Sequence, residues 1–238
     1  MSDLTISAKN LGALSLPDFC ERCFWIKTHA KLPWQIFPGI FSSIDSYTKA
    51  VTNVHHEALG KLPDWLEEVW PGSAPEKVPH WSKYLTVDEA TGVTLRGGPD
   101  EILRLKDKTL AILDYKTSRI TKNADALAPI YHTQLNAYAY IAEAQGRGKV
   151  TSLALIYCEP QTKLEVTTQI DMIRPTAFLM PFKIAIRPVD VRLEEIPKLL
   201  ARADKIYSLE RAPDLTEDCK DCAAFEDVAE KLKEKAKA

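Results

Sequence analysis

Apolar positions in the first half of the chain recur at helical spacing. Phe41, Ile44, Val51, Val54 and Ala58 predict a helix over Phe41–Leu59, with His55 on the same stripe. Asp45, Lys49, Thr52 and His56 form a separate polar face. An earlier helix is expected from Ser15 as N-cap, through Pro17 and Asp18 in its first turn, to about Ala30. That helix would set Cys20 and Cys23 one turn apart on one side. Lys31–Ile40, with Pro33, Pro38 and Gly39, reads as a connecting loop. Lys61–Trp81, rich in Pro and Trp, reads as an irregular excursion. All five tryptophans (Trp25, Trp34, Trp65, Trp70, Trp81) lie in this first third, as expected of buried packing anchors.

From Thr91 the pattern changes to short strands. Val93–Leu105 and Thr109–Lys116 predict a β-hairpin around Lys106-Asp107-Lys108, and the run Leu110–Leu113 marks its second strand as buried. Ala126 to about Ala144 predicts a helix with Ile130, Gln134, Tyr138 and Ile141 near one face, ended by Gly146 and Gly148. Val150–Cys158 and Leu164–Ile173 predict a second hairpin, and Phe182–Val191 one more strand. Leu193–Leu209 is expected to be helical, with Pro197 marking an early turn or a break. Arg211–Glu217 is a loop, and Ala223–Ala238 a charged helical tail. There is no internal repeat. This order predicts an α/β (α+β) fold, a central mixed β-sheet flanked by helices. Residues 1–222 form one domain in this reading, with an irregular insertion around 60–90, and residues 223–238 are its tail.

Composition fits that picture without changing it. The chain has 238 residues, 45% hydrophobic and 27% charged, as an ordinary globular protein does. The N-terminus lacks the basic start and apolar run of a signal peptide, and no apolar run is long enough for a bilayer, so a cytoplasmic location is expected. The net charge of −2 excludes bulk basic character. Locally the sign reverses: Arg96–Lys122 holds seven basic residues (Arg96, Arg104, Lys106, Lys108, Lys116, Arg119, Lys122) against four acids (Asp100, Glu101, Asp107, Asp114), net +3. Such a patch favours approach of an anionic substrate. Four of five cysteines form Cys-x-x-Cys pairs, Cys20/Cys23 and Cys219/Cys222, which in a reducing compartment suit metal binding. Cys158, inside an apolar run, is expected to be a core thiol.

The chemistry concentrates in the first hairpin. Asp100 on one strand and Asp114 on the next reach a common point, an oxygen-rich environment suited to Mg²⁺ or Mn²⁺. Lys116, two residues after Asp114, points to the same face of the sheet. Alone, an acid and a lysine so placed form a structural ion pair.

The wider pattern resembles the PD-(D/E)xK nuclease superfamily: Pro99-Asp100, then Asp114-Tyr115-Lys116. The flanking text is similar to the RecB-type branch, with Gly-x-Pro-Asp on one strand and an apolar strand ending Asp-Tyr-Lys-Thr. Gln134-Leu135-Asn136-Ala137-Tyr138 matches that branch's Gln-x-x-x-Tyr motif. The resemblance implies a metal-dependent deoxyribonuclease acting on single strands or duplex ends, with Asp100 and Asp114 as ligands and Lys116, Gln134 and Tyr138 as further catalytic residues. It also implies a helix-borne ligand: His55 is the first choice, because its apolar stripe is expected to pack toward the sheet, Asp45 is the runner-up, and His56 and Glu57 are further candidates. CRISPR-associated RecB-like and AddB-like relatives hold a 4Fe-4S cluster with cysteines from both ends of the domain, which implies that Cys20, Cys23, Cys219 and Cys222 do so here. The two-and-two arrangement departs from their one-and-three, and four thiolates suit Zn²⁺ equally. Partners in recombination, repair or CRISPR adaptation follow from the resemblance alone. A non-catalytic nucleic-acid-binding module that keeps this fold is the alternative.

Overall fold

The computed structural model describes residues 2–30, 39–119, 126–167 and 169–235. Lys31–Pro38 of the expected loop, with Trp34, together with Lys122, the side chain of Phe41 and residues 236–238 of the expected tail, lie outside the described residues. The chain opens with strand β1 (Thr5–Ser7), helix α1 (Ala8–Gly12), capped by Ser7 Oγ on the Asn10 N–H at 3.2 Å, and a single 3₁₀ turn (Ala13–Ser15). None of these was expected. Ser15 caps no helix; its hydroxyl bonds Thr133 at 2.8 Å. Helix α2 (Glu21–His29) starts later, with Cys20 as its N-cap. Helix α3 (Gly39–Leu59), a short α4 (Asp64–Glu67) and β2 (Ala74–Glu76) follow. Then come β3 (Leu85–Val87), β4 (Thr94–Arg96), β5 (Glu101–Arg104) and β6 (Leu110–Lys116).

The expected first hairpin is thus divided. β4 joins β1 and β3 in a three-stranded sheet, and only β5 pairs with β6. Their turn is built by Asp107, whose Oδ1 accepts from the Thr109 N–H and hydroxyl at 2.9 and 2.6 Å. Lys108 takes the left-handed φ of 69° that closes it.

Helix α5 (Ala128–Ala144) crosses to β7 (Val150–Pro160). It ends where Gly146 adopts φ +68°. The run expected to pair with β7 does not. It forms a short α6 (Leu164–Thr167) and a 3₁₀ turn, followed by the small hairpin of β8 (Ile173–Arg174) and β9 (Ala177–Phe178). The partner of β7 is β10 (Phe182–Val189), antiparallel over eight residue pairs. α7 (Glu195–Tyr207) follows unbroken, because Pro197 falls in its first turn, where no N–H is owed to the helix. Ile196, Leu200, Ala203 and Ile206 are its buried stripe. α8 (Lys220–Lys235) ends the described chain.

The main sheet has the order β10-β7-β6-β5-β2, with β6 and β7 parallel and the other pairs antiparallel. It is a mixed sheet flanked by helices, as the sequence predicts. Central β6 is buried on both sides, and its alternation sorts the core. Leu110 and Ile112 join a cluster with Leu135, Tyr138 and Ile141 of α5. Ala111, Leu113 and Tyr115 join Leu62, Leu66 and Trp70 on the other face. Asp114 and Lys116 continue the first set, toward α5. Trp70 is the buried anchor expected, but Trp81 is exposed beside the Arg96 guanidinium. Cys158 is buried in the second cluster.

Helix α3 reverses its expected orientation. The apolar stripe faces solvent, with Val54 at 60% exposure, while Thr52 at 0% and Thr48 line the inward face. The polar side turns inward because the open end of the β5–β6 hairpin offers it partners. Thr52 Oγ1 meets the Tyr115 hydroxyl at 2.6 Å, and Lys49 meets Asp100.

Candidate active site

The β5–β6 register pairs Glu101 with Leu113, so one step earlier Asp100 stands opposite Asp114. The Tyr115 N–H donates to Asp100 Oδ2 at 2.8 Å and fixes that carboxylate at the mouth of the hairpin. Lys116 forms an ion pair with Asp114 on the same side of the strand. Its ammonium also donates to Gln134 Oε1 at 3.3 Å and sits 4.4 Å from the centre of the Tyr131 ring, a cation–π contact. Gln134 Nε2 in turn donates to the Tyr138 hydroxyl at 2.6 Å. One helical turn separates Gln134 from Tyr138, which is why both reach the groove above β6. Asp114, Lys116, Gln134 and Tyr138 form one continuous chain of contacts, with Asp100 across the hairpin.

Gly97 sets the depth of this groove. A Cβ there would lie 2.5 Å from Tyr138 Cε1. Gly97→Ala is therefore expected to push the Tyr138 ring and the linked Gln134 amide out of line. A displacement of that kind costs roughly 10- to 100-fold in turnover. Turnover measured at equal folded fraction checks this, and an unchanged rate would remove Tyr138 from the positioning network.

Helix α3 brings Asp45, the alternative to His55, toward the acids through Lys49, which the sequence did not single out. Lys49 bridges Asp45 Oδ2 at 2.6 Å and Asp100 Oδ1 at 2.8 Å. His55 stands elsewhere: its Nδ1 lies 3.0 Å from the Lys61 carbonyl. Six residues beyond Lys49, it projects about 120° away around the helix. The group on α3 tied to the paired acids is the Asp45–Lys49 pair. The i, i+4 spacing of Asp45, Lys49 and Thr52–His56 was the available signal, and the apolar stripe opposite it pointed the other way. Tyr131 and Glu101 were also missed.

The electrostatics are those of crowded acids. Burial, then repulsion from Asp114, pushes the Asp100 carboxyl up to about 6, against the pull of Lys49 and the Tyr115 N–H. Asp114, 2% exposed, is also raised by burial, with Lys116 and Lys49 opposing. For Lys49, burial disfavours the charge, but Asp100 and then Asp45 outweigh it and hold the ammonium above its ordinary value. A buried Asp114 raised by desolvation, facing a partly buried Asp100 raised by desolvation and by Asp114, fits a divalent cation, which would relieve desolvation and repulsion.

A second cluster lies apart from these acids. Cys20 caps α2, Cys23 sits in its first turn, and Cys219 and Cys222 occupy the corresponding places at the start of α8. The four sulfurs all lie within 4.8 Å of one another and could hold a metal. Arg22 with Glu226, and Lys27 with Asp221 at 3.7 Å, bind the two helices beside it.

A sequence model of the PD-(D/E)XK nuclease superfamily matches residues 28–236. No match was found among curated proteins. Among solved structures, the crystal structure of SSO0001 is similar at 14% identity and a TM-score of 0.41, over 93% of this chain and 84% of that one. No helix among the described residues is long and apolar enough to cross a membrane. Members of the superfamily are in general metal-dependent nucleases that hydrolyse phosphodiester bonds. With the match spanning most of its length, the chain belongs to the PD-(D/E)XK nuclease superfamily.

Proposed function

We propose that the protein is a Mg²⁺- or Mn²⁺-dependent deoxyribonuclease acting on single strands or duplex ends. The observation that carries this is the meeting of Asp100 and Asp114 across β5–β6, with Lys116 turned into the same groove. Asp100 and Asp114 would hold the ion, with Asp45 on α3 linked to Asp100 through Lys49. When bound, the ion supplies Lewis-acid polarisation of the phosphoryl oxygen and charge neutralisation for an in-line displacement.

The chain's own residues do the rest. Lys116 carries a positive charge at the groove, where it can orient water and stabilise charge developing on the phosphate. Gln134 and Tyr131 fix the direction of that ammonium, and Tyr138 fixes Gln134. Of the basic residues in the Arg96–Lys122 segment, Lys116 stands at the acids, whereas Arg104, Lys106 and Lys108 lie at the turn end of the hairpin, where Arg104 pairs with Glu76. The chain's resemblance to the RecB-type branch would place it in end processing during recombination, repair or CRISPR adaptation.

Purified protein is expected to degrade linear single-stranded DNA with Mn²⁺ or Mg²⁺ and to stop when EDTA is added. Asp114→Asn, which keeps the shape but removes the charge, should lower the rate at least ~100-fold. Equal rates in wild type and Asp114→Asn, or degradation that persists in chelator, would sink the proposal.

A further inference from the structure

The resemblance to cluster-bearing nucleases implies a 4Fe-4S group at the four cysteines, and the spacing of the sulfurs tests it. Cys20 Sγ lies 3.5 Å from Cys222 Sγ; Cys23 Sγ lies 3.5 Å from Cys222 Sγ and 3.7 Å from Cys219 Sγ. No pair among the four exceeds 4.8 Å. Four thiolates around one tetrahedral zinc, each ~2.3 Å from the ion, stand about 3.8 Å from one another. Thiolates on a cubane each ligate a different iron and stand off its separate corners, roughly 6 Å apart. The observed spacing matches the single ion and leaves no room for four irons and four sulfides.

The surroundings agree with a closed structural site. Three of the four cysteines are buried and Cys219 is partly so. Both pairs sit at helix N-termini, where backbone N–H groups and the helix dipole favour thiolate charge. The Cys23 N–H approaches Cys20 Sγ at 3.5 Å, and Thr216 Oγ1 lies 3.2 Å from the same sulfur, contacts that orient a ligand from behind. Four protein donors complete a tetrahedral shell with no position left open, as structural zinc sites do. The donor set contains only sulfur, which excludes the hard cations proposed at Asp100 and Asp114.

We infer that Cys20, Cys23, Cys219 and Cys222 hold one tetrahedral Zn²⁺, fastening the start of α2 to the start of α8, in place of an iron–sulfur cluster. The inference is independent of the proposed nuclease activity. Its test is elemental analysis of the full-length protein, purified without oxygen from cells fed iron and overproducing iron–sulfur assembly proteins. Those conditions keep zinc from replacing a lost cluster. One zinc per chain, a colourless solution and no acid-labile sulfide are expected. Exchange with Co²⁺ should then give the visible bands of a tetrahedral thiolate site. Cys222→Ser should lose the zinc; since losing a structural ligand also removes folding free energy, the wild-type stoichiometry decides. Iron in any stoichiometry, labile sulfide, or protein without bound metal would overturn the inference.

Discussion

Replacing Lys116 by methionine is expected to lower phosphodiester hydrolysis roughly 10²–10³-fold, the usual cost of removing one charge or donor aimed at the transition state. Metal binding at Asp100 and Asp114 should survive, since the ammonium is not a ligand. The substitution also leaves Asp114 buried without its ion-pair partner, which costs about 3–5 kcal/mol of stability. Loss of activity alone would therefore be ambiguous. The double variant Asp114→Asn/Lys116→Met separates the two effects, because it removes the stranded charge. It should regain most of the melting temperature and remain inactive. Wild-type turnover in Lys116→Met at matched folded fraction would take Lys116 out of the chemistry.

The second large effect concerns Glu101, beside Asp100 but on the opposite face of β5. It is 0% exposed, and among the described residues neither carboxylate oxygen has a well-formed hydrogen bond, the nearby Ile102 N–H giving only weak opposition to the effect of burial. Burial, then the charge of Asp100, pushes its pKa from the ordinary 4.5 up to about 8. A carboxyl raised in this way stabilises the fold most below pH 4.5, where both folded and unfolded chains are protonated. That contribution is lost as the pH climbs toward 8, because the unfolded chain has already released the proton and the folded chain must keep it or bury a charge. Glu101→Gln, which keeps the shape without the ionisation, should leave stability unchanged near pH 4 and raise it by on the order of 3 kcal/mol above pH 8. For a chain of this size that is roughly 6–12 °C in melting temperature. Melts in EDTA at the two pH values give the comparison free of metal binding. Parallel curves for the two proteins would refute the account.

The part of the site that could be read in the sequence is the part that is local. Asp100 and Asp114 belong to one hairpin, and strand alternation carries Lys116 to the side of Asp114. Gln134 and Tyr138 lie one turn apart on a single helix. Lys49 could not be read in this way. Its role depends on which side of α3 meets the sheet, and hydrophobic periodicity points to the wrong side, because Val51 and Val54 look outward while Thr52 finds the Tyr115 hydroxyl. Strand partners fail for the same reason. Leu164–Ile173 lies nearer to β7 in sequence, but β10 matches it over eight pairs. The sheet of β1, β3 and β4 went unforeseen because three-residue strands are too short to show a period.

The cysteine cluster has a consequence for how the protein is made. Cys20 and Cys222 are 202 positions apart in sequence and 3.5 Å apart in space. During synthesis the first pair leaves the ribosome early and must wait, able to offer only two sulfurs, until the last of the second pair emerges. A full four-sulfur shell cannot exist on a nascent or truncated chain. Metal loading would then mark the moment at which translation has passed Cys222, and a prematurely stopped product would carry no such seal.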